Sequence, residues 1–345
     1  MQTEMIRVFD RDFRYIGVCD DYSYLNYKRC FAEAGDFAMR VVFTRENYAL
    51  YTACAYLVCP DGQCFGADAV YSDGEEITVK GRDVLALFDR AVLPTPRTFT
   101  GGAAEVLCGL AACGAEVLPI PLRQEYGEAG GAYTCDAAPG SLYAAMRQAA
   151  AVMGWGMGMR YDFDTGSLVF TPHPPRDRTA VQREREPLIL GRERENLVEE
   201  YYASDDSRYR NGAIVVGESA TGAPLTVTVP PPEGEDPRYL YRSAASLRIS
   251  AYDTEAAYRA ALYRLGESAL ALHRPQLTYT AVLEPGKEED LAPGDRATVI
   301  ALGGGRVFDA VIVSLETTYD RGDRIRRLVA GEMIPSLSGL FGREI

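Results

Sequence analysis

The chain holds only two histidines and one tryptophan in 345 residues, and its 36 basic side chains are outnumbered by 49 acidic ones, for a formal net charge of −13. Each shortage excludes something. Sequence-neutral nucleic-acid binding needs a basic stripe that displaces counterions, which an acidic chain does not supply. The acidity reads first as a solubility device; an acidic lumen past which DNA slides is a further reading. No apolar run approaches the ~18 residues that span a bilayer. The start, Met1-Gln2-Thr3-Glu4-Met5-Ile6-Arg7, carries an acid and passes straight into a strand-like pattern, without the apolar core of a signal peptide. The expectation is a chain made and kept in the cytoplasm, or released only by lysis. All eight cysteines fall at or before Cys135 and read as reduced thiols.

Catalytic signatures are missing too. There is no G-x-S-x-G elbow, Walker loop or H-E-x-x-H. His173 lies in the loop-like Thr171-Pro172-His173-Pro174-Pro175, and His273 at a helix end, where a cationic tip suits the dipole. Gly154-x-Gly156-x-Gly158 follows a helix and enters a strand, the reverse of the order that phosphate binding requires. Cys59 and Cys64 flank a hairpin loop and are placed to face each other across it. Cys108 and Cys113 sit about 140° apart around a helix, a poor arrangement for a shared ligand. C-x₂-C zinc spacing is absent. The adjacent acids Asp20-Asp21, Glu75-Glu76, Glu199-Glu200, Asp205-Asp206 and Glu288-Glu289 resemble glycosidase carboxylates only in type; turns and loops nearby explain them as solvated groups. The 22 tyrosines suit either sugar stacking or, more simply, strands. No catalytic, cofactor-binding or metal-binding residue is assigned.

What is present is turn chemistry and alternation. Ala34-Gly35-Asp36-Phe37-Ala38-Met39-Arg40-Val41-Val42-Phe43 and Ala292-Pro293-Gly294-Asp295-Arg296-Ala297-Thr298-Val299-Ile300-Ala301 are each a Gly-Asp turn feeding a strand. Gly-centred hairpins follow both, closing at Ile77–Gly81 and Ile325–Gly331. Either two β-meanders share such turns, or the chain carries an internal duplication. Between them, residues 6–24 read as a hairpin, 45–53 as a short helix and 82–92 as helical. Thr100 reads as the cap of a helix running to Ala112. Ser141 caps an amphipathic helix to Met153 that stops at Gly154, and a hairpin turns at Asp164-Thr165-Gly166. Residues 172–187, with Arg176, Asp177, Arg178, Arg183, Glu184, Arg185 and Glu186, alternate in sign and suggest a solvated or inter-subunit linker. The strand Asn211–Gly217, the Pro/Gly/acid-rich 230–237 and a helix capped by Asp253 come next.

The predicted fold is α+β and β-rich: a first β domain over 1–92, a peripheral α+β domain over 93–180, a second β domain over 181–217 and 253–335, an insertion at 218–252 and a tail at 336–345. Four segments together resemble phage tail hub proteins, the siphovirus tail proteins related to contractile-tail baseplate hubs. They are Ala34-Gly35-Asp36-Phe37 closing on Val79-Lys80-Gly81-Arg82-Asp83; Ser141-Leu142-Tyr143-Ala144-Ala145-Met146 leading to Leu168-Val169-Phe170; Glu195-Asn196-Leu197 before Asn211–Gly217; and the long helix before Leu291-Ala292-Pro293-Gly294-Asp295. The resemblance implies a homotrimer with two tube domains per chain, so that six barrel units continue a hexameric tail tube. It implies a tail tube or distal tail protein above, tip, spike or fibre proteins below, DNA passing the lumen without specific binding, no membrane insertion, a place in the virion, and neither catalysis nor a cofactor. Related tail-tip chains often carry a C-terminal peptidase or peptidoglycan-cleaving domain; the expectation for the residues after Gly331 is a contact with the next component rather than such a domain. A carbohydrate-binding or cell-wall-hydrolysing tail protein is the alternative.

Overall fold

The computed structural model describes residues 4–219, 222–244, 247–286, 290–320 and 322–331. The tail at 336–345, Glu288-Glu289 and the turn residue Arg321 lie outside the described residues. The N-terminal unit runs β1 Ile6–Phe9, β2 Tyr15–Cys19, β3 Tyr24–Cys30, β4 Asp36–Val42, α1 Arg45–Ala53, β5 Tyr56–Val58, β6 Cys64–Ser72 and β7 Glu76–Asp83. Period-two alternation decides which face is buried: along β4, Phe37, Met39 and Val41 turn into the core. They join Leu25, Leu57, Phe65, Ile77 and Val79 there. Thr44 opens α1 by accepting the Asn47 amide at 2.9 Å.

The middle of the chain contains a 3₁₀ helix Val84–Arg90, β8 Val92–Leu93, β9 Arg97–Gly102, α2 Ala103–Ala112, β10 Leu122–Gln124, β11 Ala132–Ala137, β12 Gly140–Ser141, α3 Leu142–Met153, β13 Gly156–Asp162 and β14 Ser167–His173. The helix expected from a cap at Thr100 is capped two residues later, at Gly102. Thr100 is spent in β9, opposite Thr134 of β11. Gly102 takes the cap instead, its amide bonded to the Glu105 carboxylate at 2.8 Å. The α3 helix matches its reading at both ends: Ser141 Oγ accepts the Ala144 amide, and Gly154 closes it at φ 69°, the left-handed region.

The last part runs β15 Arg176–Asp177, β16 Ile189–Leu190, β17 Leu197–Asp205, β18 Gly212–Gly217, β19 Leu225–Val229, β20 Tyr239–Ser243, α4 Glu255–Ala271, β21 Gln276–Leu283, β22 Asp295–Ala301, β23 Arg306–Asp320 and β24 Asp323–Gly331. Two expectations change here. The segment 172–187 is not wholly a solvated linker: β15 pairs in parallel with β22, and Arg178 is buried. The strand at 211–217 does not join the second β unit. It is β18, flanked by β19 and β20 in a sheet of its own, where Ala213, Val215 and Val229 pack against Tyr258 and Leu262 of α4. The cap of α4 is Thr254 rather than Asp253, its hydroxyl accepting the Ala257 amide at 3.1 Å.

One fourteen-stranded sheet dominates, ordered β17-β21-β24-β23-β3-β4-β7-β6-β5-β1-β2 with β15, β16 and β22 off the path. Its first eight strands are two copies of one pattern. In each, a strand pairs with the next long strand, that one pairs with the last, and the last returns to the third: β17-β21-β24-β23 and β3-β4-β7-β6. A side strand attaches to the third in both, β22 on β23 and β5 on β6. A bulge marks the same place in both, between Ile312 and Ser314 of β23 and between Ala67 and Ala69 of β6. The repeat therefore lies in strand order. The two Gly-Asp runs are not equivalent positions, since Asp36 opens β4 while Asp295 opens the side strand β22. The copies join edge to edge, β23 against β3, from Ser314 opposite Cys30 to Asp320 opposite Tyr24.

Candidate assembly surface

The seam between the two units is hydrogen-bonded by side chains as well as backbone. Asn26 donates to Glu316 and to Thr318, both at 2.8 Å. Glu4 accepts the Tyr319 hydroxyl at 2.8 Å and the Tyr27 hydroxyl at 3.1 Å, pinning the N-terminal segment across both units. Burial pushes the Tyr27 and Tyr319 phenols well above their usual range, so both stay protonated donors.

One face of the eight-stranded sheet carries the cores; the opposite face is open except at one end, where Gln276, Thr278 and Ser314 are buried. Cross-strand registers put Glu199, Tyr201 and Ala203 of β17, Arg327 and Ile325 of β24, Glu316 and Thr318 of β23, Asn26 and Lys28 of β3, Arg40 of β4, Lys80 and Arg82 of β7 and Tyr71 of β6 on that open face. Both signs of charge occur there, and opposite charges meet: Arg327 to Glu316 at 3.8 Å, Arg40 to Glu76 at 3.8 Å, Asp36 opposite Arg82. The open face is mixed in charge rather than acidic.

The edges matter as much. The outer edge of β17 has no strand partner among the described residues, and β6 beyond Ala67 pairs only with β7. Neither Ala69–Ser72 nor Tyr201–Ser204 carries a charge or a proline, the usual means of blunting a free edge. Tyr71 is 59% and Tyr201 58% exposed. The eight strands alternate antiparallel throughout, so β17 and β6 run in opposite directions.

The groups weighed for chemistry are scattered. Cys59 lies in the core with Leu57 and Phe65, whereas Cys64 lies with Val58 in the other core. They are on opposite faces and do not face each other. All eight cysteines are free. Cys108 is buried, and Cys113 bonds the Gly109 carbonyl at 3.4 Å. His173 ends strand β14 rather than a loop and packs on Phe31 with ring centres 5.1 Å apart. His273 lies at the end of α4, its Nδ1 2.9 Å from the Ala269 carbonyl. Gly156 is small for packing: a Cβ there meets the Phe31 ring at 2.2 Å. Glu199 and Glu200 sit in mid-strand, so they point to opposite faces, and Glu200 accepts the Tyr279 hydroxyl. Among the described residues no group of three His, Cys, Asp or Glu side chains is arranged to hold a metal ion.

Two buried carboxylates escaped the sequence reading. Asp295, fully buried, accepts Arg176 Nε at 2.7 Å, Arg178 Nη1 at 3.3 Å and the Ala292 amide at 3.0 Å. Arg178 also donates to the carbonyls of Glu186 and Asp290, so the cluster closes on itself as a latch between the linker and β22. Asp83 accepts the Leu85 amide at 2.8 Å and Gln63 at 3.4 Å, and burial pushes its carboxyl up to about 7.

Solved structures share this architecture. The tail protein from Neisseria meningitidis MC58 is 16% identical with a TM-score of 0.55, covering 96% of each chain. Prophage tail protein gp18 from Listeria monocytogenes EGD-e is 14% identical with a TM-score of 0.57, covering 98% of this chain and 97% of its own. The 43 kDa tail protein of prophage MuSo2 from Shewanella oneidensis is 12% identical with a TM-score of 0.56, covering 96% and 98%. At such identities the likeness is one of fold. No curated protein matches the sequence. The model of one family matches residues 125–332, more than half the chain and including the whole second β unit: the chain belongs to the siphovirus ReqiPepy6 Gp37-like protein family.

Proposed function

We propose that this chain is the structural hub of a phage or phage-like tail tip, forming a homotrimeric ring that continues the tail tube and adapts it to the tip proteins. The observation that carries it is the fused repeat: two units of one strand order in a run of eight antiparallel strands, with a free edge along β17 and along β6 beyond Ala67. An even number of alternating strands lets copies join head to tail with the alternation unbroken. Three copies of eight strands make a twenty-four-stranded barrel of six units, which docks on a six-fold tube while the ring itself stays three-fold.

In that ring the open face lines the lumen. Its paired charges offer a passing polyanion neither a basic stripe to stick to nor a strong repulsive field. The middle module and the β18–β20 module with α4 face outward to receive other tail proteins. The chain contributes no catalytic residue and no cofactor site, and its place is the virion. Among the described residues no helix is long and apolar enough to cross a membrane.

Light scattering of the purified protein, followed by negative-stain imaging of the same sample, tests this. The expected result is a trimer with a central pore and a pseudo-six-fold outline. A monomer at every concentration, and no ring with the neighbouring tail proteins, overturns it.

A further inference from the structure

We propose that copies of this chain are joined by β6 of one pairing antiparallel with β17 of the next, in a register set by the seam already present within the chain. The proposal rests on the ring reading and goes further by naming the two edges and the residues that meet.

The argument is one of internal equivalence. Aligning the two units on their bulges and ladders matches Ala69-Val70-Tyr71-Ser72 of β6 to Ser314-Leu315-Glu316-Thr317 of β23. The β4 and β21 ladders match Tyr27-Lys28-Arg29-Cys30 of β3 to Tyr202-Ala203-Ser204-Asp205 of β17. Within the chain, Ser314 lies opposite Cys30, Glu316 opposite Lys28 and Thr317 opposite Tyr27. Transferred to the free edges, that register places Ala69 opposite Asp205, Val70 opposite Ser204, Tyr71 opposite Ala203 and Ser72 opposite Tyr202 of the neighbouring copy.

The side chains fit. Tyr71 and Ala203 both fall on the open face, a large ring over a small residue. Val70 packs against the N-terminal core and Tyr202 against the C-terminal one, so the pairing also continues the buried face from one copy to the next. A slip of one residue reverses every side chain to the wrong face. The short outer strand β2 also has a free edge, but no counterpart in the second unit, and the repeat does not point to it.

Cysteine pairs read the register directly. In the assembled protein, Tyr71→Cys with Ala203→Cys is expected to give disulfide-linked dimers and trimers on mild oxidation, because directly opposed strand residues lie within disulfide range. Tyr71→Cys with Tyr201→Cys, two residues out of step, is expected to link at most about one tenth as well, and either single variant not at all. In the unmodified protein, those amides of 69–72 and 202–205 that point away from β7 and β21 are expected to exchange with deuterium at least about tenfold more slowly on assembly. Rings that form while the offset pair links better, or while those amides stay unprotected, overturn the pairing and leave the hub reading standing. Protein that forms no ring overturns both.

Discussion

Asp83 has a largely buried carboxyl, bonded to one backbone amide and one glutamine. Its pKa is raised from 3.8 to about 7, so the folded protein holds that proton more tightly than the unfolded chain does. The stabilising contribution is complete below the unfolded value and is lost as pH rises through about 7. Urea midpoints at pH 5 and pH 8 are therefore expected to differ, with the protein less stable at pH 8 by on the order of 2 kcal/mol from this group. Asp83→Asn, which is neutral at both pH values, is expected to remove most of that difference; an unchanged slope contradicts the assignment. Asp295 stood out in the sequence only as a turn residue and Asp83 only as the end of a strand; the burial of both was not legible. A buried acid differs from a surface acid by what lies opposite it, and for Asp295 that is Arg176 and Arg178, brought from more than a hundred residues away. Cys59 and Cys64 misled for a related reason: their spacing across the hairpin is right, but their side chains leave the ladder on opposite faces.

Elements with punctuation at both ends were legible. Ser141 and Gly154 bound α3, because caps act within four residues. Turn chemistry shows where a strand begins and not which strand it is. Gly35-Asp36 and Gly294-Asp295 therefore looked equivalent and proved to open different members of the repeat. The inserted module shows the same limit. Its strand β18 is as apolar as a core strand of the large sheet, and only its partners β19 and β20 separate it. The ends of that module also carry a prediction. Asp205 and Gln276 are paired directly across β17 and β21, so residues 206–275 occupy the place of a hairpin turn. A two-residue Asn-Gly turn closes such a pair. A chain with 206–275 replaced by Asn-Gly is expected to keep its β circular-dichroism signal and its oligomeric mass. It forgoes the ion pair of Arg264 with Asp136 at 2.7 Å that docks α4 on the middle module. Collapse to unfolded protein means that the module is part of the fold rather than mounted on it.

At the scale of the whole molecule, the decisive contact is between β3 and β23, and no local signal announces a pairing between residues some 290 positions apart. Composition and turn pattern pointed to two β units; their fusion into one sheet needed the structure. If association completes the sheet, stability is linked to protein concentration by mass action. The thermal midpoint is expected to rise by several degrees between about 1 µM and 100 µM, with scanning calorimetry as the check; a midpoint independent of concentration speaks for a self-sufficient monomer. The fused seam has one more consequence. A ring of three such chains has six joints of two kinds: three run through a single polypeptide and are reinforced by Asn26 and Glu4, and three are closed only by contact between separate molecules. Under outward load the second kind parts first. The proposed ring would then open as three segments, its weakest lines lying every 120° around the channel.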